Sequence, residues 1–248
     1  MPDISYQLYC SRNFPPMADT LKMLADAGFK EVEGYGGMYE DLDALKAAVA
    51  ATGLHLSSSH LGLDMLEDEP EKCMEIIKHF KMRGVFGPHI GPDERPTDAA
   101  GWTAFGERLA KIGAPYVAAG VAFGWHNHDF ELVPTETGEM PLDLMMAAAP
   151  DLTLELDLGW VLRAGQDPVA WIEKYAGRIA AAHIKDIAPA GENADEDGWA
   201  DVGHGVQNWA PIHAALQAAG VTHYVVEHDN PADHTRFASR SLAAVQSF

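Results

Sequence analysis

The chain has 248 residues, 47% of them apolar, with 37 acidic side chains against 17 basic ones and a net charge of −20. That length suits one large α/β domain, and the charge argues against a nucleic-acid partner, whose phosphates require a basic footprint. No apolar run approaches the roughly 20 residues of a membrane-spanning helix, and Met1-Pro2-Asp3-Ile4-Ser5 lacks the basic and apolar parts of a secretory signal. Cys10 and Cys73 are too few for a disulfide framework, so a reducing cytoplasm is the expected location.

Short β-like runs alternate with amphipathic helices along the whole chain. Ile4 to Tyr9 reads as the first strand, followed by a helix from Met17 to Ala27 that starts after Pro15-Pro16 and stops at Gly28. Phe29 to Glu33 is the second strand and Leu42 to Ala51 its helix. Leu54 to Ser59 is the third, ending at His60, with Glu69 to Met82 helical behind it. Gly84 to Gly87 is a weak fourth strand, and Ala99 to Ala119 the long helix after it. Val121 to Trp125 is the fifth strand and Leu142 to Ala149 its helix. Leu152 to Leu156 then leads to the helix Pro168 to Tyr175. Ile179 to Ala182 is the seventh strand, Asn208 to Ala219 a helix, Tyr224 to Val226 the eighth strand, and Asp233 to Val245 the closing helix. Eight strand–helix units with no linker between halves predict an α/β fold of one domain over residues 1–248, a (β/α)8 TIM barrel.

The longest irregular segment, Ala188 to Val206, carries Glu192, Asp195, Glu196 and Asp197 and then Gly203-His204-Gly205. Loops that follow barrel strands form the active-site face, so this segment reads either as a lid or as a solvated acidic loop.

The chemistry concentrates at the ends of strands five to eight. Trp125-His126-Asn127-His128-Asp129-Phe130-Glu131 puts two imidazoles and two carboxylates within six positions. In Leu152-Thr153-Leu154-Glu155-Leu156-Asp157, outward Leu154 and Leu156 leave Glu155 and Asp157 facing the barrel interior, Glu155 deeper and Asp157 at the mouth. His183 and Lys185 share a face of strand seven, and Glu227 abruptly follows the apolar Tyr224-Val225-Val226. A buried Asp, His and Glu without a cationic partner are costly unless an ion or a hydrogen-bond network holds them. Oxygen and nitrogen donors without cysteine suit Mn²⁺ first, with Mg²⁺, Co²⁺, Fe²⁺ or Zn²⁺ as alternatives. Such an ion would polarise a carbonyl and acidify the neighbouring C–H.

With these motifs the chain resembles the xylose-isomerase-like superfamily of sugar phosphate isomerases and epimerases, an AP endonuclease family 2-like barrel. The likeness rests on His126-Asn127-His128, Leu156-Asp157-Leu158-Gly159-Trp160, His183-Ile184-Lys185-Asp186 and Val226-Glu227, in order over essentially the whole chain. It implies one catalytic divalent ion on Asp157, His183 and Glu227. The fourth ligand of the family, a Glu on strand five, is here His126, with Glu131 the replacement if His126 does not bind. Trp160 stands where relatives often carry His. Glu131 and His128, beside the departure at His126, and Lys185, on the inward face of strand seven, are the candidates for proton transfer and substrate contact. His60 and Glu33 at strand ends and Trp160 as an apolar wall are the candidates around the substrate.

The first expectation is therefore a metal-dependent isomerase or epimerase that abstracts a proton next to the carbonyl of a keto-sugar. The alternative is a lyase or hydratase of a 3-keto-glycoside or keto-inositol, because His126 removes the symmetric pair of glutamates that an epimerase uses. The substrate class is a small carbohydrate, with no Gly-rich phosphate cradle in the sequence. Neither a nucleic acid nor a membrane is expected as partner, and relatives leave a homo-oligomer open. The acid-rich chain also argues against the DNA-repair nucleases that share the barrel.

Overall fold

Eight parallel strands close on themselves in the computed structural model, which describes residues 2–248. They are β1 (Asp3–Gln7), β2 (Glu31–Tyr35), β3 (His55–His60), β4 (Gly84–Gly87), β5 (Ala122–His126), β6 (Thr153–Asp157), β7 (Ile179–Ile184) and β8 (His223–Val226). Each pairs with its sequence neighbours, and β1 closes the ring by pairing with both β2 and β8, Tyr6 lying opposite Val32 and Val226. Among the described residues no helix is long and apolar enough to cross a membrane.

Alternation divides each strand between two environments. On β6 Leu154 and Leu156 join the main core under the helices, and on β8 Tyr224 and Val226 do the same. The opposite parity fills the barrel. Phe86, Ala181 and Val225 form a separate small apolar cluster, and the polar side chains of β2, β3, β5, β6 and β7 share the interior. Gly124 is required beside it: a Cβ there would stand 2.7 Å from Phe86 Cδ1 and 2.8 Å from the Thr153 carbonyl oxygen.

Several boundaries differ from the sequence reading for one reason. The apolar run marks the part of a strand under the helices, whereas the ladder continues through inward polar residues, so β5 reaches His126 and β6 reaches Asp157. β1 instead stops at Gln7, and Leu8–Ser11 turns as a 3-10 helix that brings Tyr9 and Arg12 over the barrel mouth. Two short helices were not foreseen. Leu63–Asp68 precedes the helix that begins at Pro70. Leu158–Arg163 is capped by Asp157 itself, whose Oδ1 accepts from the Trp160 amide at 2.8 Å.

The segment 188–206 is part solvated loop and part braced ribbon: residues 189–195, with Glu192 and Asp195 among them, are exposed, whereas Trp199 to Val202 are buried. Asp186–Ile187 pairs antiparallel with Trp199–Ala200, and Trp199 is 1% exposed. Asp186 accepts from the amides of Ile187, Gly203, Gly205 and Gln207 and from the Trp209 indole. Its acidic residues Glu196 and Asp201 bind Arg236, and Asp201 also binds Arg240.

Candidate active site

The C-terminal ends of the strands open into a cavity of about 450 Å³ lined by Tyr9, Arg12, Tyr35, His60, His89, His126, His128, Trp160, Glu227 and Asp229, among others. Imidazoles from β3, β5 and the segment after β4 stand on one side, and the carboxylates that end β8 on the other. Just beneath the surface, His126, Asp157, His183 and Glu227 each direct a donor atom to one place, all within 4.8 Å of one another. His183 Nδ1 lies 2.9 Å from Glu227 Oε2 and 3.8 Å from Asp157 Oδ2, and His126 Nε2 lies 3.9 Å from Asp157 Oδ2.

A second level lies deeper. Glu33 and Glu155, both fully buried, meet the other nitrogens of the same two histidines. His183 Nε2 is 2.8 Å from Glu33 Oε1 and 3.1 Å from Glu155 Oε2, while His126 Nδ1 is 3.2 Å from Glu155 Oε2. His60 bonds Glu155 as well. Glu33 also accepts from Gln7 Nε2 at 2.8 Å and from the Ser58 hydroxyl. Burial opposes ionisation of Glu33, but His60 and His183 outweigh it and hold the carboxyl at about 2.

The cost of burying the carboxylates nearer the mouth is met by Lys185, on the same inward face as His183. Lys185, with no exposed surface, stands 2.8 Å from Asp229, 3.0 Å from Glu227 and 3.6 Å from Asp157. Its ammonium lies over the Trp199 and Trp160 rings, 4.3 and 5.0 Å from their centroids. Burial works against its charge, but Asp229 and Glu227 prevail and raise its pKa. Glu227 responds in kind: burial raises it, yet Lys185 and His183 hold it well below the usual carboxylate range. Asp157 is different, since burial lifts it to about 7 against the pull of Lys185.

The candidate residues thus separate by position. His128, Trp160 and His60 border the cavity together with His126 and Glu227. Burial, with Lys185 nearby, depresses His128 well below the usual histidine range and keeps its imidazole neutral. Glu131 turns away. Its oxygens accept the Trp125 indole N–H and the His128 amide, each at 2.8 Å, and burial raises it to about 7. Lys185 and Glu33 lie behind the lining, not in it. Asp229, Tyr9, Arg12 and Tyr35 line the cavity without having been singled out. Asp229 was accessible to reasoning, because it stands two positions beyond Glu227 at a strand's C-terminal end. Tyr9 and Arg12 were hidden by assigning Tyr9 to the strand.

The upper set fits a divalent ion. Its donors are nitrogen and oxygen only, and their spacing is that of groups converging on a centre with bonds of about 2.0–2.2 Å. Asp157 Oδ2 is buried without a hydrogen-bond partner, with Lys185 Nζ no nearer than 3.6 Å, and burying a carboxylate oxygen so weakly engaged is expensive.

A closed parallel barrel with converging ion ligands at the carboxyl ends of its strands defines a class of enzymes. Residues 21–245 match the xylose isomerase-like TIM barrel family, and the chain belongs to it. An inosose dehydratase of Lacticaseibacillus casei is 26% identical over 181 residues, which take in 64% of this chain and 57% of the relative. The chain thus spans less than two thirds of that relative's length. A sugar phosphate isomerase/epimerase of Parabacteroides distasonis superposes with a TM-score of 0.82 at 23% identity, over 99% of this chain and 94% of the other. An IolI protein with a bound zinc atom superposes with a TM-score of 0.76 at 15% identity, over 100% and 97% of the two chains.

Proposed function

We propose that this chain is a divalent-metal-dependent lyase or hydratase of a cyclic keto-polyol, a keto-inositol or a 3-keto-glycoside. The observation that carries the reading is the asymmetry of the cavity. A neutral imidazole, His128, stands on the β5 side, and ionised Glu227 with Asp229 on the β8 side. Elimination uses two different groups, one to take the proton beside the carbonyl and one to assist the departing oxygen. The name of the inosose dehydratase relative supports the same chemistry.

His126, Asp157, His183 and Glu227 are the residues that would hold the ion, Mn²⁺ by preference. When bound, such an ion polarises the substrate carbonyl and lowers the acidity barrier of the adjacent C–H. Trp160 and Tyr35 supply flat walls against which an apolar ring face packs. His128, neutral at pH 7, accepts the proton next to the carbonyl. Asp229, which borders the cavity beside Lys185 and whose carboxyl burial raises, would protonate the leaving oxygen from its neutral form. Glu131 acts through His128, whose amide it fixes. We place the enzyme in the cytoplasm, a reading its two buried free cysteines support.

The second reading is an isomerase or epimerase. The same groups face one cavity, so a proton taken by His128 can equally be returned to the neighbouring carbon. Proton NMR in D₂O of the Mn²⁺-loaded protein with keto-inositols and 3-keto-glycosides separates the two. Loss of water or of an aglycone supports the lyase. An isomer deuterated next to its carbonyl, with no elimination, would replace it with the isomerase.

A further inference from the structure

Both histidines of the upper set are shared with the deeper level, one ring nitrogen to each. We propose that Glu33 and Glu155 are positioning residues that fix which nitrogen His183 and His126 present to the ion; this rests on the ion-binding reading above. His183 directs Nδ1 upward to Glu227 and Asp157 and Nε2 downward to Glu33 and Glu155. His126 divides the other way, Nε2 upward to Asp157 and Nδ1 downward to Glu155.

A neutral imidazole offers one lone pair and carries its proton on the other nitrogen, and a ligating histidine keeps that proton on an acceptor. For His183 that acceptor is Glu33, hydrogen-bonded to Nε2 at 2.8 Å; for His126 the nearest acceptor is Glu155, 3.2 Å from Nδ1 but not yet in hydrogen-bonding geometry. They cannot turn away: Glu33 is tied by Gln7 and Ser58, and Glu155 by His60. The opposite tautomers would aim a lone pair at a fully buried carboxylate about 3 Å away, which like-signed charge opposes.

The deeper level has the makings of an ion site as well, since His60, His126, Glu155 and His183 also bring donor atoms within 4.8 Å. The two positions exclude each other, because each shared histidine has one lone pair to give. Charge places the ion above: the upper set brings two carboxylates, Asp157 and Glu227, to a dication, whereas the deeper set brings only Glu155, whose Oε2 already faces His60, His126 and His183.

Long-range ¹H–¹⁵N spectra of wild-type protein, labelled at histidine and loaded with Zn²⁺, read the tautomers directly. The expected result is metal on His183 Nδ1 and His126 Nε2, with protons on His183 Nε2 and His126 Nδ1. In parallel, Glu33→Gln and Glu155→Gln, shown to be folded by thermal unfolding, should raise the Mn²⁺ Kd by about 10–100-fold in calorimetry. Each should also shift the visible absorption bands of the Co²⁺-loaded protein. Reversed nitrogens, or Glu155→Gln abolishing binding while Asp157→Asn leaves it intact, would put the ion in the deeper level and overturn the proposal without touching ion dependence. Unchanged Kd and Co²⁺ spectra in both variants would reduce the level to packing. A wild-type chain that binds neither Zn²⁺ nor Mn²⁺ overturns the ion-binding reading, and this inference with it.

Discussion

Lys185 is a buried ammonium between three carboxylates, Asp229, Glu227 and Asp157, so its removal tests the electrostatics of the whole cluster. Lys185→Met keeps an unbranched apolar stem and deletes the ammonium that lies over Trp160 and Trp199 and faces Asp229, Glu227 and Asp157. Breaking a buried ion pair by removing one partner costs about 3–5 kcal/mol. The low end applies here, for two reasons. Asp157 already titrates at about 7 and can take up a proton, and Glu227 retains His183 at 2.9 Å. Urea unfolding at pH 7 in EDTA should therefore show a loss of about 3 kcal/mol. A divalent ion brings two positive charges to the same carboxylates without competing with the ammonium, so the variant should bind Mn²⁺ at least about tenfold more tightly, or about 1.4 kcal/mol. With Mn²⁺ saturating, the gap in stability to wild type should narrow by that amount. A loss below about 1 kcal/mol in EDTA, or a gap that Mn²⁺ leaves unchanged, would refute the idea that Lys185 balances the site in the ion's absence.

Three further outcomes follow from single side chains. Asp186→Asn sets an amide against at least two of the N–H groups its oxygens now accept. The loss should be about 3–5 kcal/mol in urea unfolding, with new protease cleavage within 188–206; a fully resistant segment contradicts the bracing. Burial raises Glu131 from 4.5 to about 7. A folded value above the unfolded one gives stability that is complete below pH 4.5 and lost as pH rises through 7, worth about 3 kcal/mol. The stability of wild type relative to Glu131→Gln should fall by that amount between pH 4.5 and 8, and a flat difference would show that Glu131 does not titrate there. Asp157→Asn and Glu227→Gln should each lower Mn²⁺ affinity by about 100-fold or more, some 3 kcal/mol, as read by calorimetry; unaltered binding in both places the ion elsewhere.

The barrel was legible because its signals are local. A short strand followed by a helix repeats eight times, and two-residue parity alone puts Glu155 and Asp157 inside. The same parity put Lys185 beside His183. What it could not supply was Lys185's main partner, Asp229, which comes from the loop beyond β8 and sits 44 residues away in sequence. The ribbon over the mouth was obscured for a similar reason. Glu196 and Asp201 read as solvated acids until Arg236 and Arg240, from the last helix, are brought against them.

Depth inside the barrel is a separate quantity from facing, and it was the harder one. Parity says that Glu33 points inward, but its height relative to His183 depends on the tilt and stagger with which eight strands close. Those are set jointly by every pair in the ring, including the register shifts between Val32 and Glu33 and between Leu154 and Glu155. A slip at either place would carry Glu33 or Glu155 to another level. Glu33 and His183, 150 positions apart, meet at 2.8 Å across β1 and β8, whose pairings set the two at one height. The strand-end ligands could therefore be read from the chain, because the end of an apolar run marks the mouth of the barrel. The carboxylates that support those ligands from below could not, because no local pattern records height. For the same reason Glu33 was first assigned to the substrate, whereas its contacts are with the histidines that would hold the ion.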